Sequence, residues 1–177
     1  DALVWDRPKD LDEARSSGTK IVGYFPGGYV PEELIYAAGA IPLCLAHGGD
    51  AHKADEGLAL LPSVICPFAR AQVGEMLLKT NPFYSMLDLV VVPSTCQHMK
   101  KVGDVWEHYG DVEIFKLGVP YQCEDDFELE YYKDRLLALR ARLEVITGAS
   151  ITDAKLGKAI SLYNRLRELL STLSLTR

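Results

Sequence analysis

The sequence predicts an α/β fold, a parallel sheet flanked by helices, followed by a long C-terminal helical hairpin. Three observations predict it. Short apolar runs such as "DLVVVP", residues 88–93, have the length and β-branched content of strands buried on both faces. Stretches of helical spacing separate these runs, and that alternation builds βαβ units with parallel strands. From Asp126 onward the pattern changes to apolar and charged residues at helical spacing, interrupted by Gly148.

Each element follows from its residues. Residues 8–17 have the pattern of a short amphipathic helix, and residues 20–25 that of a first strand ended by Pro26, Gly27 and Gly28. Pro31 suits the first position of the next helix, Glu32 and Glu33 favour its positive end, and Gly39 closes it. "AIPLCL", residues 40–45, is the second strand, and residues 46–62 lack a clean period and read as a loop with one helical turn. "SVICPFARAQVGEMLLKT", residues 63–80, returns to helical spacing, with Phe68, Val73, Met76 and Leu77 as core candidates. The third strand, "DLVVVP", leads into a capped helix within "STCQHMKKVGDVWEHYG" that closes near Gly110, and "VEIFKLGVP" is a fourth strand. Asp126–Thr147 and residues 152–173 form two long helices, the second capped by Thr152 or Asp153, expected to pack antiparallel. The chain thus divides into a Rossmann- or flavodoxin-like lobe, residues 1–124, and a helical hairpin, residues 125–177.

Composition narrows the function. A formal charge of −6 disfavours nucleic acid or an anionic membrane as the main partner, since either needs a concentrated cationic surface. No apolar run approaches the roughly 18 to 20 residues that span a bilayer, and Asp1 does not open a signal peptide, so the expected location is the cytoplasm. The four cysteines, Cys44, Cys66, Cys96 and Cys123, form no CxxC pair, and a domain of this size needs no disulfides. Four histidines, His47, His52, His98 and His108, show neither HxxxH nor HExxH spacing, and no GxSxG elbow is present.

In parallel sheets ligands gather at the carboxyl ends of the strands. The Pro26-Gly27-Gly28 turn, Cys44, and Ser94-Thr95-Cys96 all fall at such ends. Cys66 and Cys96 also open helices, where unpaired N–H groups and the macrodipole stabilise a thiolate, the form of sulfur that binds metal. Against this stands the plain alternative that each cysteine is a small buried residue and the glycine turn holds nothing. The adjacent Glu32 and Glu33 point different ways on a helix and are not an acid/base pair. His98, two residues after Cys96, is either a surface or capping residue or a neighbour of a centre there.

Several blocks in fixed order carry a resemblance: "GYFPGGYVPEELIYAAGAIPLCL", "CPFARAQVGEML", "DLVVVPSTCQHMKKVGDVWEHYG", "LGVPY" and "LEVITGASITDAKLGKAISLYNRLRELL". From about residue 19 to the end, the chain resembles the N-terminal half of the 2-hydroxyacyl-CoA dehydratase and benzoyl-CoA reductase family, which includes the double-cubane-cluster proteins. The resemblance implies an oxygen-sensitive iron–sulfur protein, carrying a [4Fe–4S] or double-cubane cluster, that receives low-potential electrons from an ATP-dependent activator. In dehydratase members one electron turns an acyl-CoA thioester into a ketyl radical anion that expels the 2-hydroxyl group. In reductases the electrons enter an aromatic ring, and in the double-cubane branch they reduce small molecules.

The resemblance also implies site residues and partners. Cys66 and Cys96 match two of the family's three cluster cysteines; the third belongs to a second lobe expected beyond residue 177. Cys44, and after it Cys123, are candidate extra ligands or structural residues. Gly27, Gly28 and the loop over residues 47–61 are expected to line a substrate cleft. A related subunit, identical or not, is the implied partner, and a lone lobe is expected to be inactive. A reading of another class keeps the chain as a cluster-free scaffold lobe that binds a second subunit through its long helices.

Overall fold

The computed structural model describes residues 6–46 and 48–176. His47 lies outside these, as do Asp1 and Arg177. In chain order the elements are α1 (Arg7–Ser16), β1 (Ile21–Tyr24), α2 (Glu32–Ala37), β2 (Ile41–Cys44), α3 (Ala51–Glu56) with a 3-10 turn (Gly57–Ala59), α4 (Pro67–Leu78) and α5 (Pro82–Ser85). β3 (Leu89–Pro93), α6 (Gln97–Tyr109), β4 (Glu113–Leu117), α7 (Asp126–Thr147) and α8 (Asp153–Ser174) follow.

The described strands form one parallel sheet in the order β2-β1-β3-β4, with Val22 opposite both Pro42 and Leu89. Alternation along the strands sorts the core into two layers. Ile21, Val90 and Val92 face α4 and α6, where Phe25 meets Trp106 edge-on at 5.7 Å. Val22, Leu89, Val91 and Leu117 face α2, α7 and α8. Every residue of β3 is buried, as its unbroken apolar run requires.

α3 and α4 cross backbone to backbone. A Cβ added at Gly74 would stand 1.8 Å from the Lys53 carbonyl oxygen, and one at Gly57 would stand 2.2 Å from that of Arg70. The crossing buries Glu75 completely, where its carboxylate pairs with the Lys53 ammonium and accepts from the Asn81 amide at 3.0 Å. Gln72, also buried, accepts from the Tyr84 hydroxyl at 3.0 Å, and its carbonyl accepts from Trp106 Nε1 at 3.3 Å. These polar groups knit α3, α4, α5 and α6 into one layer.

Several local expectations change. Pro31 is the residue before α2 rather than its first residue, while Gly39 takes the left-handed turn after it at φ +82°. The stretch after β2 holds a full helix, α3, capped by the Asp50 carboxylate accepting from the Lys53 amide at 3.3 Å. Its period is weak because only Ala54 of that helix is buried. α1 likewise buries only Leu11. On α4, Val73 and Met76 are buried as expected and Phe68 packs partly against the core, but Leu77 is 40% exposed.

The two long helices are present but splayed. They meet near their turn and do not zip along their length. α7 puts Leu139 and Leu143 against the sheet, whereas α8 lies on α2, with Ala159 buried, Tyr163 edge-on to Tyr36 at 6.0 Å and Arg167 on Glu33 at 2.5 Å. Each helix finds a better apolar partner in the lobe than in the other. The turn itself is clasped: Glu144 accepts from the Ile151 amide at 2.7 Å, and the Arg140 guanidinium donates to the Ile151 carbonyl.

Because a backbone carbonyl cannot rotate away, Gly74→Ala is expected to cost about 3 kcal/mol or more, read as a lower urea midpoint in equilibrium unfolding. An unchanged midpoint would contradict the close crossing.

Candidate metal centre

The order β2-β1-β3 puts a topological switch point between β1 and β3, and the crevice beyond their carboxyl ends is where ligands of such sheets bind. Two turns meet there. After β1, Gly27 and Gly28 have φ of +145° and +76°, conformations that side chains disfavour. A Cβ at Gly27 would lie 3.3 Å from the Tyr29 ring and 4.0 Å from the Thr95 methyl group, so this turn runs close to the one that follows β3. Ser94 anchors that second turn by donating its amide to the Leu117 carbonyl of β4 at 2.8 Å.

Cys96 immediately precedes α6, in extended conformation, and its sulfur accepts the Met99 amide at 3.5 Å. A thiol replaces the usual Ser or Asp cap, which aims the sulfur at the helix's unpaired N–H groups. Cys66 precedes α4, with Pro67 as first helical residue; its own ψ of 148° is the extended form that a following proline imposes. The turn Pro62–Ile65 and the buried Leu61 and Ile65 deliver Cys66 to this position. Its side chain makes no capping bond, and it is half-buried.

The two cysteines are linked through a histidine. The Cys66 amide donates to His98 Nδ1, in the first turn of α6, at 3.2 Å. Nothing in the sequence beyond the Cys96-x-His98 spacing signals that bond, which joins residues 32 positions apart. Neither α4 nor α6 carries an acidic residue in its first turn, whereas α2 and α7 both do. The positive ends of α4 and α6 are thus left for an anionic group.

Cys44 and Cys123 stand elsewhere. Cys44 ends β2 beside Leu45, Phe83 and Tyr84, and although partly exposed its thiol is pushed upward, first by burial and second by the Glu32 carboxylate. Glu32 accepts from the Tyr24 hydroxyl, and burial, then Glu33, raise its own carboxyl. Glu33 turns instead to Arg167, as adjacent helical positions require. Cys123 is exposed in the segment before α7, near enough to Tyr132 to help burial raise that phenol.

Among the described residues no three of His, Cys, Asp and Glu converge on a point fit for one metal ion. A cubane asks for something different, since each thiolate binds its own iron atom at a separate corner. Cys66 and Cys96 fit a share of such a shell, two sulfur atoms at one sheet edge, and the described residues bring no third beside them.

Known proteins are similar to this chain over most of its length. The family described as 2-hydroxyglutaryl-CoA dehydratase, D-component, matches residues 28–177. The chain belongs to that family. One of the benzoyl-CoA reductase subunits, from Thauera aromatica, is 33% identical over 91% of this chain and 40% of its own length. The (R)-phenyllactyl-CoA dehydratase beta subunit of Clostridium sporogenes is 28% identical, over 97% and 45%. The (R)-2-hydroxyglutaryl-CoA dehydratase beta subunit of Acidaminococcus fermentans is 27% identical, over 89% and 41%. The chain therefore spans less than half the length of these dehydratase-family relatives. Among the described residues, no helix is long and apolar enough to cross a membrane.

Glu32→Gln removes one of the two causes that hold the Cys44 thiol up, so Cys44 is expected to react faster with iodoacetamide at pH 8. Mass-spectrometric alkylation kinetics measure it, and an unchanged rate would mean burial acts alone.

Proposed function

We propose that this chain is the N-terminal lobe of an iron–sulfur subunit in an activator-dependent dehydratase or reductase. One observation carries the reading: two helices whose positive ends lack carboxylates each begin at a cysteine, and both stand at one edge of a parallel sheet. Cys66 and Cys96 supply two thiolates. The cluster, when bound, supplies single electrons at low potential. Everything else at the edge falls to the chain's own side chains and amides.

The Met99 amide holds the Cys96 sulfur in place and adds a donor beside its charge. The Gly27–Gly28 turn, close to Thr95 and without side chains, is the part of the edge that an acyl-CoA thioester or a small molecule would approach. Among the described residues neither Cys44 nor Cys123 joins Cys66 and Cys96 in one group fit to hold a metal ion. That favours a single [4Fe–4S] cluster, completed by a cysteine beyond residue 177, over a double cubane. An ATP-dependent activator delivers the electrons. The assembly is completed by a second, related protein, a role that the relatives' names support because each describes one part of a larger enzyme.

A second reading has its own observation. Leu162, Leu166, Leu169, Leu170 and Leu173 form a stripe at helical spacing along α8, between 45% and 60% exposed. A cluster-free lobe that uses this stripe to hold another subunit would explain it equally well.

The full-length protein, prepared and reconstituted without oxygen, separates the two. Cys66→Ala or Cys96→Ala is expected to lower iron and acid-labile sulfide by roughly half or more and to abolish the EPR signal of the reduced cluster. Iron content equal to that of the unaltered protein would contradict the first reading. An unaltered protein that is colourless, iron-free and bound to a second subunit would establish the scaffold.

A further inference from the structure

We infer that His98 is a positioning residue for the candidate metal centre: its imidazole ties the Cys66 backbone to α6 and withholds the Cys66 amide from the cluster. The inference rests on the reading of Cys66 and Cys96 as ligands. Its geometry is independent of that reading.

Cys66 lies in the connection between β2 and β3, and Cys96 and His98 in the connection between β3 and β4. Among the described residues, hydrogen bonds tie α4 and its cap to α6 at two levels. Trp106 Nε1 donates to the Gln72 carbonyl at 3.3 Å midway along the helices, and the Cys66 amide donates to His98 Nδ1 at 3.2 Å at their beginnings. The first, with the packed core around Trp106, fixes how the helices lie on one another. The second ties together the beginnings of the two helices, each of which is preceded by one of the two cysteines. The contact is half-buried, where a bond of this kind is not readily exchanged for water.

The direction of the bond has a chemical consequence. An amide N–H pointed at a cluster sulfur stabilises the reduced, more negative state and so raises the reduction potential. His98 occupies this particular N–H. An accepting Nδ1 also means that the neutral ring carries its proton on Nε2. His98 takes up the N–H that Cys66 carries on its own backbone, so that donor is not free to join the one that the Met99 amide gives Cys96.

The test uses full-length protein and three substitutions. Asn places its Oδ1 where Nδ1 stands and keeps an acceptor; Leu keeps bulk without one; Gln carries its acceptor one bond too far and serves if the Leu variant fails to fold. In iron-free protein, the Cys66 amide is expected to exchange with deuterium roughly five- to tenfold faster in His98→Leu or His98→Gln and at near the unaltered rate in His98→Asn. In reconstituted protein, an EPR-monitored potential titration is expected to show an upward shift in His98→Leu or His98→Gln that His98→Asn reverses. Unchanged exchange would overturn the tether, and changed exchange with an unchanged potential would overturn its role at the cluster. An unaltered protein that holds no iron would overturn that role together with the functional reading, a result that iron analysis distinguishes from the failure of His98 alone.

Discussion

Because β1 hydrogen-bonds in parallel to β2 on one side and to β3 on the other, the chain must leave the sheet in opposite directions after β1 and after β3. The connections diverge and leave a crevice at the carboxyl edge, and everything proposed for this protein happens there. The central strand is built for the task. Gly23 lies against Leu45 and Leu87 so closely that a Cβ would come within 3.0 Å of each. The segment after β2 and the one before β3 can therefore close over β1.

On one face of that sheet, α4 and α6 bring the cysteines. Their placement does not depend on the cysteines themselves. It depends on the backbone crossing at Gly57 and Gly74, on the buried Glu75 and Gln72, and on Phe25 and Trp106, which fill the space beneath both helices. Burying a carboxylate is costly unless it is paired and hydrogen-bonded, and Glu75 has the Lys53 ammonium and the Asn81 amide. The sulfur positions are thus inherited from a rigid layer rather than from flexible loops, the arrangement a redox centre requires to hold its potential.

Much of this was legible in the residues. The apolar run of β3, the glycine turn after β1 and the cysteines that open α4 and α6 all lie where their local chemistry placed them, because strands buried on both faces and helix starts depend on near neighbours. What escaped depends on distant ones. α3 buries a single alanine of its own and so lacks a readable period, although Asp50 is an ordinary cap. The splay of α7 and α8 follows from their partners in the lobe, the sheet for Leu139 and Leu143 of α7 and α2 for α8, which no spacing reveals. The His98 bond joins two connections that meet only after the sheet has formed. Cys44 and Cys123, equal to the other pair by composition, differ from them in place: one ends β2 and the other is exposed before α7, whereas Cys66 and Cys96 precede helices.

The central proposal, to which the family membership and the hydrogen bond at the sheet edge lend support, is that Cys66 and Cys96 are ligands of a shared cluster. The most direct measurement is iron anomalous diffraction from crystals of the full-length protein grown without oxygen. Iron density is expected between the beginnings of α4 and α6, within bonding distance of both sulfurs. Iron bound away from these two residues, or two reduced thiols with no iron beside them, would contradict the claim.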